Sequence, residues 1–310
     1  MADKASRALV LYGDGLASSI SLSQSHHLHS LASLSSCGFL TLPHSPPSEN
    51  VDAGMIREFA ELLDSAEAYG SENEKESSEA KSSLPFIPER FMGMKAAVIT
   101  DNSDLQRFGS KLGLTILQLN EITGSSHSRD DSSIVASQLL KLLGFEGGKT
   151  LQTNQFDLLF LHMGAGEEPN GLLDIEHVND LVGALLHLAK PGNEISSRLH
   201  LSVIMSYGAF CGDENSSLSL NVATHDSNSN LSLLFPRQSY TIKQGKPREN
   251  VRHHSPMLIA QWQNAVTRKD MVETYSFSNF KELGGNLAIP ADRFLHEVAF
   301  KLWKAPKYGA

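Results

Sequence analysis

The sequence has too few cysteines, Cys37 and Cys211 alone among 310 residues, for a disulfide framework or a cysteine-rich zinc site. No apolar run approaches the ~20 residues a membrane helix needs. The opening MADKASR and the ALVLY after it hold no secretory core, and the Ser-rich stretch further on lacks the arginines of a transit peptide. Long basic blocks are missing and the net charge is −9, which argues against nucleic acid as the main partner. There is no Gly-rich phosphate loop and no internal repeat. These absences leave a reduced, cytoplasmic setting with no nucleic acid and no membrane. What remains, 40% hydrophobic and 20% charged residues, is an ordinary globular composition, with thirteen histidines as a mild excess.

The stretch Phe156–Gly171, FDLLFLHMGAGEEPNG, organises the rest. Leu158 to Leu161 form an uncharged run that ends on His162, a Gly-rich turn and the adjacent acids Glu167 and Glu168. Such a run reads as a strand buried on both faces, in the middle of a parallel sheet. Ligands collect outside the carboxyl ends of such strands.

Further strands are expected at Arg7–Gly13, Phe39–Leu42, Met94–Thr100, Leu114–Leu119, Leu199–Met205, Ser239–Lys243 and Met257–Gln261. Helical spacing runs through Leu28, Leu31 and Leu34, with Gly38 as the stop. It returns over Met55–Leu63, Leu105–Leu112, Val135–Leu143 and Val178–Leu188. Asp130 or Asp131 is the expected cap of the fourth of these helices. Pro290 is expected to open a last helix, on which Trp303 either caps the core or, with its basic neighbours, faces a partner. Residues 70–83 (around SENEKESSEAKS) read as a flexible acidic loop, and residues 211–233 as a long polar loop. Alternation of strands and helices predicts an α/β fold, one domain over 1–310, with a mostly parallel, doubly wound sheet covered on both faces.

Four strand ends, at Asp14, Ser45/Ser48, His162/Glu167 and Ser206, gather on one sheet edge if the strands are parallel. His253-His254 precedes a strand that reaches the same edge. Carboxylate, hydroxyl and imidazole in one cleft are groups that bind divalent metals and activate nucleophiles. Each also has a plainer role: Asp14 and the serines as turn formers, Glu167 and Glu168 as solvated acids, His162 as a hydrogen-bonded structural residue.

The order of these elements resembles the alkaline phosphatase superfamily, and within it the archaeal-type, cofactor-independent phosphoglycerate mutases. Asp14-Gly15-Leu16 is similar to that family's Asp-Gly-Leu-Gly after its first strand, and Leu31-Ala32 through Gly38 to the Leu-Ala-x-x-Gly that follows. Gly93 to Leu117 resembles its strand–helix–strand return to the core, with Thr123-Gly124 as the turn after it. FDLLFLHMGAGEE resembles the strand and loop carrying His-x-x-Ala-Pro-Asp-Glu-Ala-Gly-His, and His254-Ser255 the His-Thr pair ahead of a later strand. The resemblance covers most of the chain outside roughly 50–90 and 210–235.

It implies a three-layer α/β/α sandwich, two divalent metals and a phosphoryl-carrying serine. Carried over residue by residue, it leaves Asp14, Glu167 and His254 as metal ligands and Ser48 or Ser45 as nucleophile, with His162, Ser206 and His253 at the site's edge. The family's Ser-Asp-His-Gly is here Ser206-Tyr207-Gly208, so one metal's ligands are gone, with a tyrosine ring in their place. His225-Asp226 is a poor substitute. The space of the substrate-gripping domain holds one helix and the acidic loop. The expectation is therefore a diverged, pseudoenzyme-like cytosolic binding or scaffold protein. It would hold at most one weak divalent metal (Mn or Zn) and take a phosphorylated small molecule or a protein as partner. The alternative is an active, metal-dependent phosphomutase (isomerase) or phosphohydrolase with a serine nucleophile.

Overall fold

A computed structural model describes residues 5–42, 51–68, 85–123, 132–164, 171–208, 242–243, 246–247 and 254–306. In chain order the strands are β1 (Arg7–Asp14), β2 (Ser36–Leu42), β3 (Ala96–Ile99), β4 (Thr115–Leu117), β5 (Phe145–Glu146), β6 (Lys149–Thr150), β7 (Leu158–Gly164), β8 (Leu199–Met205), β9 (Ile242–Lys243), β10 (Lys246–Pro247), β11 (His254–Trp262) and β12 (Leu287–Pro290). The helices used below are α1 (His26–Leu34), α2 (Val51–Leu62), α3 (Ile87–Arg90), α4 (Ser103–Lys111), α5 (Leu119–Thr123), α6 (Ser132–Leu142), α7 (Gly171–Leu188), α8 (Glu194–Arg198), α9 (Phe277–Leu283) and α10 (Phe294–Lys301).

Eight strands make one sheet in the order β12-β2-β11-β8-β1-β7-β3-β4. The three longest apolar runs hold its middle, with β1 parallel to both β7 and β8. Every residue of β8 is buried, as expected of a strand covered on both faces. Side chains alternate between two cores. Leu9, Leu11, Leu159, Leu161, Leu201 and Val203 meet α1, α6 and α7. Val10, Tyr12, Phe160 and Ile204 meet α2, α3, α4 and α10. The result is the expected three-layer α/β/α sandwich.

Several expectations change. β11 runs antiparallel to both β2 and β8, so the sheet is parallel except there. Gly38 lies inside β2 rather than ending a helix; a Cβ there would come 2.6 Å from the Leu287 carbonyl of the neighbouring β12. The fourth strand is shorter than Leu114–Leu119, since Leu119 already opens α5. Pro290 closes the edge strand β12 instead of opening the last helix, which starts at Phe294 after a 3₁₀ turn. Trp303 is 67% exposed and does not cap the core. Helix α9 and the β5–β6 hairpin went unforeseen because both are short. The stretches 70–83 and 211–233, the caps Asp130 and Asp131, Gly124, and Ser239 lie outside the described residues. Among the described residues no helix is long and apolar enough to cross a membrane.

Candidate functional site

Period-two alternation places Asp14, His162 and Ser206 on the same face as Tyr12, Phe160 and Ile204, toward α2, at the carboxyl ends of β1, β7 and β8. The gathering of these three strand ends foreseen in the sequence is therefore present. β2 runs parallel to β8 through their shared antiparallel neighbour β11, so its end also points to this edge. His254 begins β11 there, its backbone in register with Leu42. The side chain of His254, and Ser45, Ser48, Glu167 and His253 entirely, lie outside the described residues.

Ser206 ties the edge together. Its hydroxyl donates to Asp14 Oδ1 at 3.1 Å and accepts from the backbone N–H of Gly15 at 3.1 Å and of Gly208 at 3.2 Å. One donor and two lone pairs are all a serine hydroxyl has. The backbone adds two further bonds, Ser206 N–H to the Gly13 carbonyl and Ala17 N–H to the Ser206 carbonyl, each 2.9 Å. The turns after β1 and β8 consequently touch. A Cβ on Gly208 would stand 3.1 Å from Gly15 Cα, and both glycines have positive φ, +72° and +68°. Tyr207 turns the other way and packs against the core under α1 and α7. The tyrosine ring thus lies on the other side of the sheet from Asp14, His162 and Ser206.

Sequence reasoning missed Glu58. It lies on α2, where a glutamate in an amphipathic helix reads as a solvated residue, yet it is only 3% exposed and accepts a 2.9 Å hydrogen bond from the Tyr12 hydroxyl. Burial and the nearby Asp14 push its carboxyl up to about 7, against the hydrogen bond from Tyr12 that favours the charged form. Burial and the same two acids drive the Tyr12 phenol well above its ordinary value. Burial thus disfavours the charged forms of Glu58 and Tyr12 together.

His162 belongs to the same cluster. Its ring centre is 5.7 Å from that of Tyr12, and Nδ1 is 2.9 Å from Thr100 Oγ1. That hydroxyl already accepts from Asn102 N–H at 3.1 Å. Its remaining donor and lone pair leave it able to partner Nδ1 in either tautomer. Burial lowers the ring's pKa to about 4, so it is neutral at pH 7. Nε2 is buried without a partner among the described residues. Gly164 keeps space clear beside it, since a Cβ there would lie 3.2 Å from Nε2 and 3.3 Å from Asp14 Cβ.

The fit to metal can be tested on these groups. Asp14 carries the Ser206 hydrogen bond, Glu58 is buried against Tyr12 with its charged form disfavoured, and His162 Nδ1 is engaged by Thr100. Among the described residues no three His, Cys, Asp or Glu side chains are close enough to hold a metal ion. These residues do not fit a two-metal centre.

No protein-family model and no curated relative matches the sequence. Solved structures do match its fold. The PH0037 protein from Pyrococcus horikoshii aligns over 100% of both chains at 13% identity and a TM-score of 0.56. The lipoteichoic acid synthase LtaP from Listeria monocytogenes aligns over 99% of this chain and 74% of that one, at 8% identity and a TM-score of 0.51. A protein in the alkaline phosphatase superfamily from Vibrio parahaemolyticus aligns over 97% and 67%, at 8% identity and a TM-score of 0.48. At such identities the likeness is one of fold alone.

Proposed function

We propose that the chain is a diverged phosphomutase- or phosphatase-like protein with little or no turnover, acting as a binding or scaffold component in the cytosol. The observation that carries this reading is the saturated Ser206 hydroxyl, which engages Asp14 and two backbone N–H groups where the family it resembles has a metal-binding Asp-His pair. A buried carboxylate that accepts such a hydrogen bond is stabilised in part without a cation. Without metals, nothing clamps a phosphoryl group as its charge moves. Its ligand would be a phosphorylated small molecule or a protein surface met at the strand-end edge.

The active reading, a metal-dependent phosphomutase or phosphohydrolase, has one observation in its favour. The end of β2, which leads into Ser45 and Ser48, and the start of β11 at His254 point to the same edge as Asp14. Elemental analysis after purification without chelators, beside phosphate release from simple phosphate esters with added manganese, separates the two. At most one weakly held metal per chain and background turnover are expected. Two tightly bound metals, or robust turnover abolished by Ser48→Ala, would overturn the diverged reading.

A further inference from the structure

At the opposite end of the sheet, before β1 and β8 begin, a cavity of about 350 Å³ is lined by Ser6, Thr150, Glu194, Ser197 and Arg198. That volume is enough for a small ligand. Ser6 stands eight residues before Asp14 in an extended chain, so the cavity lies roughly 26 Å from the strand-end cluster.

The lining is polar and incompletely satisfied. Ser6 donates its backbone N–H to the Arg198 carbonyl at 2.8 Å, which fixes it at the cavity wall. Its hydroxyl oxygen is nevertheless buried with no hydrogen-bond partner. The Thr150 hydroxyl is likewise buried, close to the Glu194 carboxylate but outside good hydrogen-bonding geometry. Glu194 Oε2 is engaged instead by Thr150 N–H at 2.8 Å. Ser197 donates to the Glu194 carbonyl at 3.1 Å and keeps its lone pairs for another group. Buried hydroxyls without partners are rare, because each gives up its water without compensation. Two of them beside one cavity mark polar groups that a ligand would satisfy, and a guanidinium and a carboxylate line the same space.

We propose that this cavity binds a small hydroxylated oxyanion, a hydroxy acid or a sugar phosphate. Arg198 takes the oxyanion, and Ser6, Thr150 and Glu194 take the hydroxyls. Arg198 supplies planar, charge-assisted donors suited to a carboxylate or phosphate. Glu194 accepts from a ligand hydroxyl, and the two serines and Thr150 both donate and accept. A purely apolar ligand would leave the Ser6 and Thr150 hydroxyls unpaired.

Calorimetric titration and thermal denaturation at pH 7 test this with four probes: gluconate, glycerol 3-phosphate, inorganic phosphate and uncharged inositol. Gluconate or glycerol 3-phosphate should bind and raise the melting temperature, and which of them binds tighter distinguishes the carboxylate from the phosphate source. Ser6→Ala should weaken binding about tenfold while leaving the unliganded melting temperature unchanged or higher, since it removes an unpaired hydroxyl. Arg198→Gln should abolish binding. Asp14→Asn should leave it intact, which separates this site from the strand-end cluster. The proposal fails if neither hydroxylated anion binds, or if inorganic phosphate or inositol binds as tightly. It also fails if Asp14→Asn removes binding that Ser6→Ala preserves.

Discussion

Ser206 and, further back along the same strand, Ser202 and His200 face one side of the sheet, and each heads a buried polar group. In the lower group His200 Nε2 is 3.3 Å from Ser202 Oγ, and Gln261 Nε2 is 3.4 Å from both. Burial, with a smaller contribution from Lys301, pushes the His200 imidazole well below its ordinary value, so the group is neutral. The upper group instead buries two carboxylates, Asp14 and Glu58, against a phenol and a hydroxyl. Neutral polar groups can be buried at modest cost when they bond one another, whereas two acids in one network cannot both stay charged. Packing alone does not call for carboxylates at the edge of a sheet. The contrast says that the lower cluster fills space and that the upper one keeps the chemical groups of a site.

The sharpest way to break this contrast is at Ser206. Ser206→Ala strips a hydrogen bond from Asp14 and leaves two buried N–H groups unpaired. It should cost about 3 kcal/mol in urea unfolding at pH 7; a loss under about 1 kcal/mol would mean the upper cluster is no more than packing.

Glu58→Gln comes next. The carboxyl's folded value of about 7 lies above its ordinary 4.5. Its contribution to stability is therefore fully present below pH 4.5 and is lost as pH rises through 7. The glutamine variant should exceed the natural protein by on the order of 2 kcal/mol at pH 8 and by nothing at pH 4.5. A pH-independent difference would show that Glu58 does not titrate in this range.

Ser202→Ala should cost less than about 1 kcal/mol, because its contacts are long and its partners neutral. A loss equal to that of Ser206→Ala would erase the distinction between the clusters.

The smallest expected effect is none. The His162 ring should show no titration between pH 6 and 8 by nitrogen NMR, since burial holds it near 4. A midpoint above 6 would show that the ring is solvated.

The middle of the sheet was legible because Leu9–Leu11 and Leu158–Leu161 are apolar on both parities, a pattern that a doubly covered strand needs, and Leu199–Met205 is uncharged throughout. Asp14, His162 and Ser206 were legible as the first polar residues after those runs. Glu58 was not, since its burial depends on Tyr12, 46 residues away in sequence, and helical periodicity carries no record of a cross-layer hydrogen bond. The reversed direction of β11 left no mark either, because a buried strand reads the same both ways. Gly38 misled because its reason is a neighbouring carbonyl rather than a helix end.

The backbone contact between Gly15 and Gly208 also limits how the two turns can vary. A Cβ on Gly208 would stand 3.1 Å from Gly15 Cα, and both residues have positive φ, so a side chain at either position is strained. Because the Ser206 hydroxyl bonds the backbone N–H of each glycine and also Asp14, a change in either turn is transmitted to the carboxylate through a single serine.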